Sequence, residues 1–143
     1  MEVIELPAHL ADEAVALWQE CGLTRPWNDP HADLARALAG PSSTVLACVA
    51  DRDADEGHRL LATVMVGHDG HRAWLYYLAV RERNRGLGLG RLLVRACEQW
   101  ARFRGLPKLQ LMVRTGNEPV LAFYDRLGYE LNEVVVLGRR LDT

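Results

Sequence analysis

Arg83-Asn84-Arg85-Gly86-Leu87-Gly88-Leu89-Gly90-Arg91 decides how this chain is read. The apolar run Trp74-Leu75-Tyr76-Tyr77-Leu78-Ala79-Val80 leads into it and predicts a buried strand. The amphipathic segment from Leu89 to Arg104 leads out and predicts a helix. Three glycines at alternate positions therefore open a helix straight after a strand. The first amides of a helix have no partner within it, and glycine leaves no Cβ in the way, so the stretch predicts an anion site. Arg83, Arg85 and Arg91 add positive charge. The ligand expected here carries phosphate.

Two familiar phosphate loops do not fit. The dinucleotide fingerprint Gly-x-Gly-x-x-Gly, counted from Gly86, would place its last glycine where Arg91 stands. The nucleoside-triphosphate loop needs Gly-Lys followed by Ser or Thr, which is missing. The pattern that matches is Arg-x-x-Gly-x-Gly, at Arg85, Gly88 and Gly90. It resembles the coenzyme A pyrophosphate loop of the GNAT N-acetyltransferases. Without its flanks, the same loop reads as a glycine-rich turn at an ordinary helix start.

The length of 143 residues fits a single domain spanning 1–143. Folding at this size buries roughly 68% of the unfolded surface, enough for a core without staples. A net charge of −2 argues against nucleic acid as a partner, because its binders carry a basic excess. No apolar run approaches membrane-spanning length, and the N-terminus lacks a basic-then-apolar signal pattern, so no membrane partner is expected. Cys21, Cys48 and Cys97 sit in apolar segments and are odd in number. They read as reduced core thiols of a cytoplasmic protein, and their spacing makes no zinc site.

Along the chain, Glu2 to Leu6 alternates and predicts a short strand. From Ala8, the positions Leu10, Ala14, Leu17, Trp18 and Cys21 share one helical face, and Gly22 offers a stop. Asn28 or Asp29 predicts the cap of a second helix with Pro30 in its first turn. Thr44 to Ala50 and Arg59 to Gly67 predict strands around a charged hairpin loop at Asp51 to Gly57. Asp69-Gly70 marks a hairpin into Trp74–Val80, whose apolar faces predict a central strand. In the next helix Leu89, Leu92, Leu93, Ala96, Cys97, Trp100 and Phe103 form the inner stripe. Lys108 to Val113 predicts a strand parallel to Trp74–Val80, because a helix joins the two. Asn117-Glu118-Pro119 opens a helix to Leu127, and Tyr129 to Leu141 predicts a last strand centred on Val134-Val135-Val136. The order is β-α-α-β-β-β-α-β-α-β, a mixed α/β sheet with one parallel pair beside the phosphate loop.

A second signature extends the resemblance over residues 73–130. It reads Asn117…Phe123-Tyr124…Gly128-Tyr129, with Val120 where the GNAT pattern has alanine, a change of packing rather than of chemistry. The resemblance implies a mostly antiparallel GNAT sheet whose central parallel pair splays apart, flanked by helices. It implies acetyl-coenzyme A as co-substrate and no metal. The backbone of Leu78, Ala79 and Val80 would pair with the pantetheine arm like an added strand, and one strand amide would polarise the acetyl carbonyl. The N–H groups of Arg85, Gly86, Leu87, Gly88, Leu89 and Gly90, with Arg91 beside them, would hold the pyrophosphate. Asn117 would orient the cofactor or its loop, or simply cap its helix. Tyr124 would be the general acid for the departing thiolate, since a phenol with pKa near ~10 gives up its proton at little cost.

The base is left open. The strand Trp74–Val80 holds no carboxylate, so Asp29, His31, Asp69, His71 and water relaying to bulk all remain candidates. His68 and His71 read as turn residues rather than metal ligands. The resemblance implies an acceptor groove walled by the loop between the first two helices, where Trp27, Asn28 and Asp29 fall, with Tyr76; Trp27 reads equally well as an aromatic staple at a helix entry. With Tyr77 and His68-Asp69-Gly70-His71 these residues resemble a small bacterial subgroup, the YpeA-like acetyltransferases, which supplies no substrate. One strand rather than two is expected after Gly128. The acceptor wall is then either open, favouring a protein or peptide amine, or completed by the second subunit of a homodimer. The competing reading is a non-catalytic acyl-coenzyme A-binding or regulatory module on the same fold.

Overall fold

The computed structural model describes residues 2–50 and 59–142. The charged loop expected at Asp51 to Gly57 lies outside the described residues. Two compact units form, residues 1–112 and residues 113–143.

The first unit is built on a five-stranded sheet in the order β1-β2-β3-β4-β5. The strands are β1 (Val3–Glu5), β2 (Ser43–Val49), β3 (Leu60–His68), β4 (Ala73–Val80) and β5 (Leu109–Leu111). Neighbours run antiparallel except β4 and β5, which are parallel, as expected of strands joined by a helix. Val45, Ala47 and the helices α1 (Ala11–Glu20) and α2 (Pro30–Ala39) share one core cluster with Leu17, Trp18 and Leu34. Leu46, between the two β2 residues, lines a groove with Trp100 and Phe103, so α3 (Leu89–Phe103) covers the opposite face.

Local chemistry sets the helix starts. Asp29 caps α2, its carboxylate accepting from the amides of His31 at 3.0 Å and Ala32 at 3.2 Å. Such a cap contributes about 1 kcal/mol, and Pro30 at the first position loses nothing by lacking an N–H. Asp12 and Glu13 sit in the first turn of α1, where the helix dipole favours negative charge. Glu13 does more: its carboxylate accepts from the Leu60 amide at 3.1 Å and lies 3.7 Å from the buried Arg81 guanidinium. Arg81 also donates to Glu20 at 3.1 Å and to the Leu60 carbonyl at 3.0 Å, tying α1 to the ends of β3 and β4.

Two expectations are corrected. Phe103 belongs to the inner stripe by spacing, yet it is 90% exposed. It is the last residue of α3, and no described element covers it there. In the second unit, α4 (Glu118–Arg126) forms as expected, but residues 129–142 carry no strand. Val134, Val135 and Val136 are 70%, 85% and 63% exposed. Branched side chains favour a pleated surface only when a neighbouring strand takes up the backbone bonds, and none does among the described residues.

Candidate active site

The site begins where β5 leaves β4. The pair is in register only through Ala73↔Leu109, Trp74↔Gln110 and Leu75↔Leu111. β4 runs on to Val80 without that neighbour, which opens one edge of a central strand. A bulge coincides with the departure. Met65 pairs with Tyr76 and Thr63 with Ala79, so Tyr77 and Leu78 together oppose Val64. Tyr77 takes a left-handed φ of 53°, an unusual conformation for a non-glycine residue.

The bulge decides which amides face the opening. Before it, the Ala73 N–H donates towards β5, to the Lys108 carbonyl at 3.0 Å. After it, the Arg81 N–H donates towards β3, to the Leu61 carbonyl at 2.8 Å. Amides alternate sides along a strand, so those of Leu78 and Val80 face away from β3, into the opening. The Val80 carbonyl on that side is already engaged. It accepts from Arg85 Nε at 3.1 Å, and Cys21 Sγ lies 3.5 Å from it.

The glycine loop follows as a 3-10 turn, Glu82–Asn84, and an uncapped helix start. Arg85 spends its own amide on the Glu82 carbonyl at 3.2 Å. From Gly86 to Arg91, no amide donates to a carbonyl among the described residues, and the first helical bond runs from Leu92 to Gly88. Gly88 is the N-cap, with φ of 83° and no side chain to offer an acceptor. Gly86 has φ of 79°. The first turn holds no acidic residue, and Arg91 is exposed beside it. Asn84 Oδ1, at the entry to the loop, is buried without a partner. Six consecutive donors without a carbonyl partner among the described residues, at the positive end of a helix dipole, suit a diphosphate.

Each of the other expected residues has its own local setting. Tyr124 is buried in α4, and its ring meets Phe123 and Tyr129 edge-on at 4.9 and 5.7 Å. Asn117 starts that helix but makes no side-chain cap bond. Trp27 is 57% exposed and Tyr76 40% exposed. Burial and the nearby Asp69 charge push the Tyr76 phenol up. Among the candidate bases, Asp29 is a helix cap, and His31 lies 3.9 Å from Asp12 on the surface. Asp69 accepts from the amides of His71 and Arg72, both at 2.8 Å, and these bonds hold its carboxyl below the usual carboxylate range. His71 is exposed in the same turn. No group of side chains able to hold a metal ion occurs among the described residues.

One pair escaped the sequence reading. The Tyr77 hydroxyl donates to Asp33 Oδ2 at 2.8 Å, and its ring lies flat on Trp18, 4.1 Å between centroids and 9° from parallel. Burial first, then the Asp33 hydrogen bond, push this phenol up to about 12. Only the bulge, invisible in an apolar run, turns Tyr77 this way. A separate groove of about 750 Å³, lined by Val3, Leu46, Trp100, Phe103 and Arg104 among others, offers no carboxylate, imidazole or thiol for transfer chemistry.

Comparison with known proteins agrees with this architecture. The family model for the acetyltransferase (GNAT) family matches residues 9–129, and the chain belongs to that family. An acetyltransferase of Yersinia pestis (strain Pestoides F) is 38% identical over 130 residues, 91% of this chain and 88% of that protein. An Agrobacterium tumefaciens str. C58 protein proposed to be an acetyltransferase superposes with a TM-score of 0.79 at 21% identity, covering 98% of this chain and all (100%) of that one. The aminoglycoside N-acetyltransferase AAC(6′)-Iy, solved in complex with CoA, gives a TM-score of 0.79 at 15% identity, with 98% and 94% coverage. The two structural likenesses establish the fold; the family match and the Yersinia relative establish the acetyltransferase class.

Proposed function

We propose that this chain transfers an acetyl group from acetyl-coenzyme A to a primary amine, by direct attack within a ternary complex. The observation that carries the reading is the run of amides from Gly86 to Arg91 that meet no carbonyl among the described residues, set directly after a strand that has lost its neighbour. In this reading those amides and Arg91 grip the pyrophosphate. The Leu78 backbone and the Val80 amide receive the pantetheine arm as a strand would be received. A β4 amide facing the opening donates to the thioester oxygen, where negative charge grows as the amine attacks. Tyr124 protonates the sulfur as the carbon–sulfur bond breaks, and Asn117, whose side chain makes no cap bond, orients the cofactor or its loop. Coenzyme A, when bound, supplies the activated acyl group.

The amine has one proton to lose before attack and another after the new bond forms. Because Asp29 and Asp69 are both committed to backbone amides, we assign proton removal to water relaying to bulk. Trp27, Asn28, Asp29 and Tyr76 wall the acceptor in this reading, which places the chain with the YpeA-like subgroup. Residues 1–143 act as one catalytic domain, in the cytoplasm, where three free thiols are at home. A homodimer fits the exposed run Leu131 to Leu137, which a second copy would cover, and neither nucleic acid nor a membrane enters the scheme. Among the described residues, no helix is long and apolar enough to cross a membrane.

Release of free thiol from acetyl-coenzyme A, measured against a panel of small amines and peptides, tests the proposal. Turnover with at least one amine is expected. A second reading, a non-catalytic acyl-coenzyme A-binding module, is favoured by the lack of any carboxylate on β4. Cofactor binding without thiol release across the panel would select it.

A further inference from the structure

We propose that Tyr77 and Asp33 are positioning residues for the acyl carbonyl: their hydrogen bond latches the β4 bulge and so keeps the Leu78 amide aimed into the opening between β4 and β5. The inference rests on the acetyl-transfer reading above.

The direction of the Leu78 amide depends on a single extra residue. Remove the bulge, and the alternation of β4 before Tyr76 continues unbroken past it. A slip of one residue turns every later group to the other side. Leu78 would then present its amide to β3, and the opening would lose its donor. The bulge is not the relaxed state of this sequence, because Tyr77 must hold a φ of 53° that disfavours a residue with a Cβ. Something has to hold it there.

The surrounding contacts form a closed chain. Asp33, in the first turn of α2, is itself fixed by Arg36 at 2.5 Å. Its other oxygen takes the Tyr77 hydroxyl at 2.8 Å. The Tyr77 ring stacks on Trp18 of α1, whose Nε1 donates to Thr63 Oγ1 at 2.9 Å. Thr63 pairs across the sheet with Ala79, the first residue after the bulge. Two helices and the neighbouring strand therefore bracket the residues whose direction matters. A phenylalanine at position 77 would stack on Trp18 equally well. The hydroxyl adds only the tie to α2, and the phenol's raised pKa fits a proton committed to that bond.

The test compares the affinities of acetyl-coenzyme A and coenzyme A by calorimetry, so it needs no acceptor. The wild type is expected to prefer the acetylated form by about fivefold, the worth of one hydrogen bond. Tyr77→Phe and Asp33→Ala loosen Tyr77 and Leu78 but leave the Thr63–Ala79 and Ala62–Val80 pairs that fix the later register, so they are expected to bring that ratio close to one with coenzyme A affinity unchanged. Asp33→Asn, which keeps an acceptor oxygen, is expected to restore most of it. A merely structural role would weaken both ligands together, and that result overturns the latch. So does a preference retained in Tyr77→Phe, or no preference in the wild type. Wild-type protein that binds neither ligand refutes instead the acetyl-transfer reading on which the latch stands.

Discussion

Replacing Gly88 by alanine separates what the glycine loop does for folding from what it does for the ligand. Gly88 caps α3 with φ of 83° and ψ of 11°, and an added Cβ would meet nothing within 4 Å. The substitution is therefore strained by its backbone and not by a clash. Left-handed geometry costs an alanine about 1–2 kcal/mol, and the stiffer unfolded chain returns about 0.4–1 kcal/mol. The net loss is about 1 kcal/mol. At about 2.1 cal/mol/K per residue, the 143 residues unfold with about 0.3 kcal/mol/K, so Tm should fall by about 3 °C. Gly105, just beyond the other end of α3, has φ of 73° and equally open surroundings, so Gly105→Ala should lose the same few degrees. The two part company on ligand binding. At Gly88 the new methyl group stands in the open space at the helix start, against six amides that meet no carbonyl among the described residues. Losing even one hydrogen bond to a charged group costs about 1.5–3 kcal/mol, which weakens coenzyme A more than tenfold. Calorimetric titration of both variants, beside their melting curves, decides it. Equal coenzyme A affinity in Gly88→Ala and Gly105→Ala would refute the assignment of these amides to the pyrophosphate.

Tyr124→Phe should lower acetyl transfer at least tenfold while leaving the coenzyme A dissociation constant unchanged; unchanged turnover, with chemistry rate-limiting, removes Tyr124 from the mechanism. Arg81→Met should destabilise the fold by about 3 kcal/mol, because a buried charge network loses its centre, and denaturant unfolding measures this. Alkaline pH should destabilise the protein. Burial holds the Cys97 thiol at about 12 against an ordinary 9.0, and burial with Asp33 holds the Tyr77 phenol at about 12 against 10.0. Both groups keep their protons longer folded than unfolded, so stability falls as pH rises from about 9 towards 12. Tyr77→Phe should flatten the upper part of that decline, and melting curves from pH 8 to 11 would reveal a profile with no such slope.

Much of the sheet was legible because its signals are local and mutually consistent. Trp74–Val80 is apolar throughout, the glycines fall at the helix start, and Asp29-Pro30 is a cap followed by a first-turn proline. Asp69-Gly70 likewise places the β3–β4 turn. The loop's open amides follow from the same local logic, since a glycine N-cap brings no side-chain acceptor with it. What the residues hid depends on partners distant in sequence. The last strand does not form because Val134-Val135-Val136 has the propensity of a strand but no neighbour to pair with among the described residues. Phe103 failed because spacing says which way a helix residue points, not whether anything lies opposite. The bulge leaves no mark, for Tyr76-Tyr77 reads like any other pair in a buried strand. Asp33 is silent in the sequence for the same reason: its meaning comes from a hydroxyl 44 positions away.

If the backbone donors of the loop and of β4 receive one extended, diphosphate-bearing ligand, each of those amides must sense it. Titrating ¹⁵N-labelled protein with coenzyme A and following each amide in heteronuclear spectra tests it most directly. The largest shifts should fall on Gly86 to Arg91 and on Leu78 and Val80, with Arg85, whose amide is already bonded to Glu82, moving less. Shifts scattered over other parts of the chain, with Gly86 to Arg91 unmoved at saturating ligand, would contradict the account.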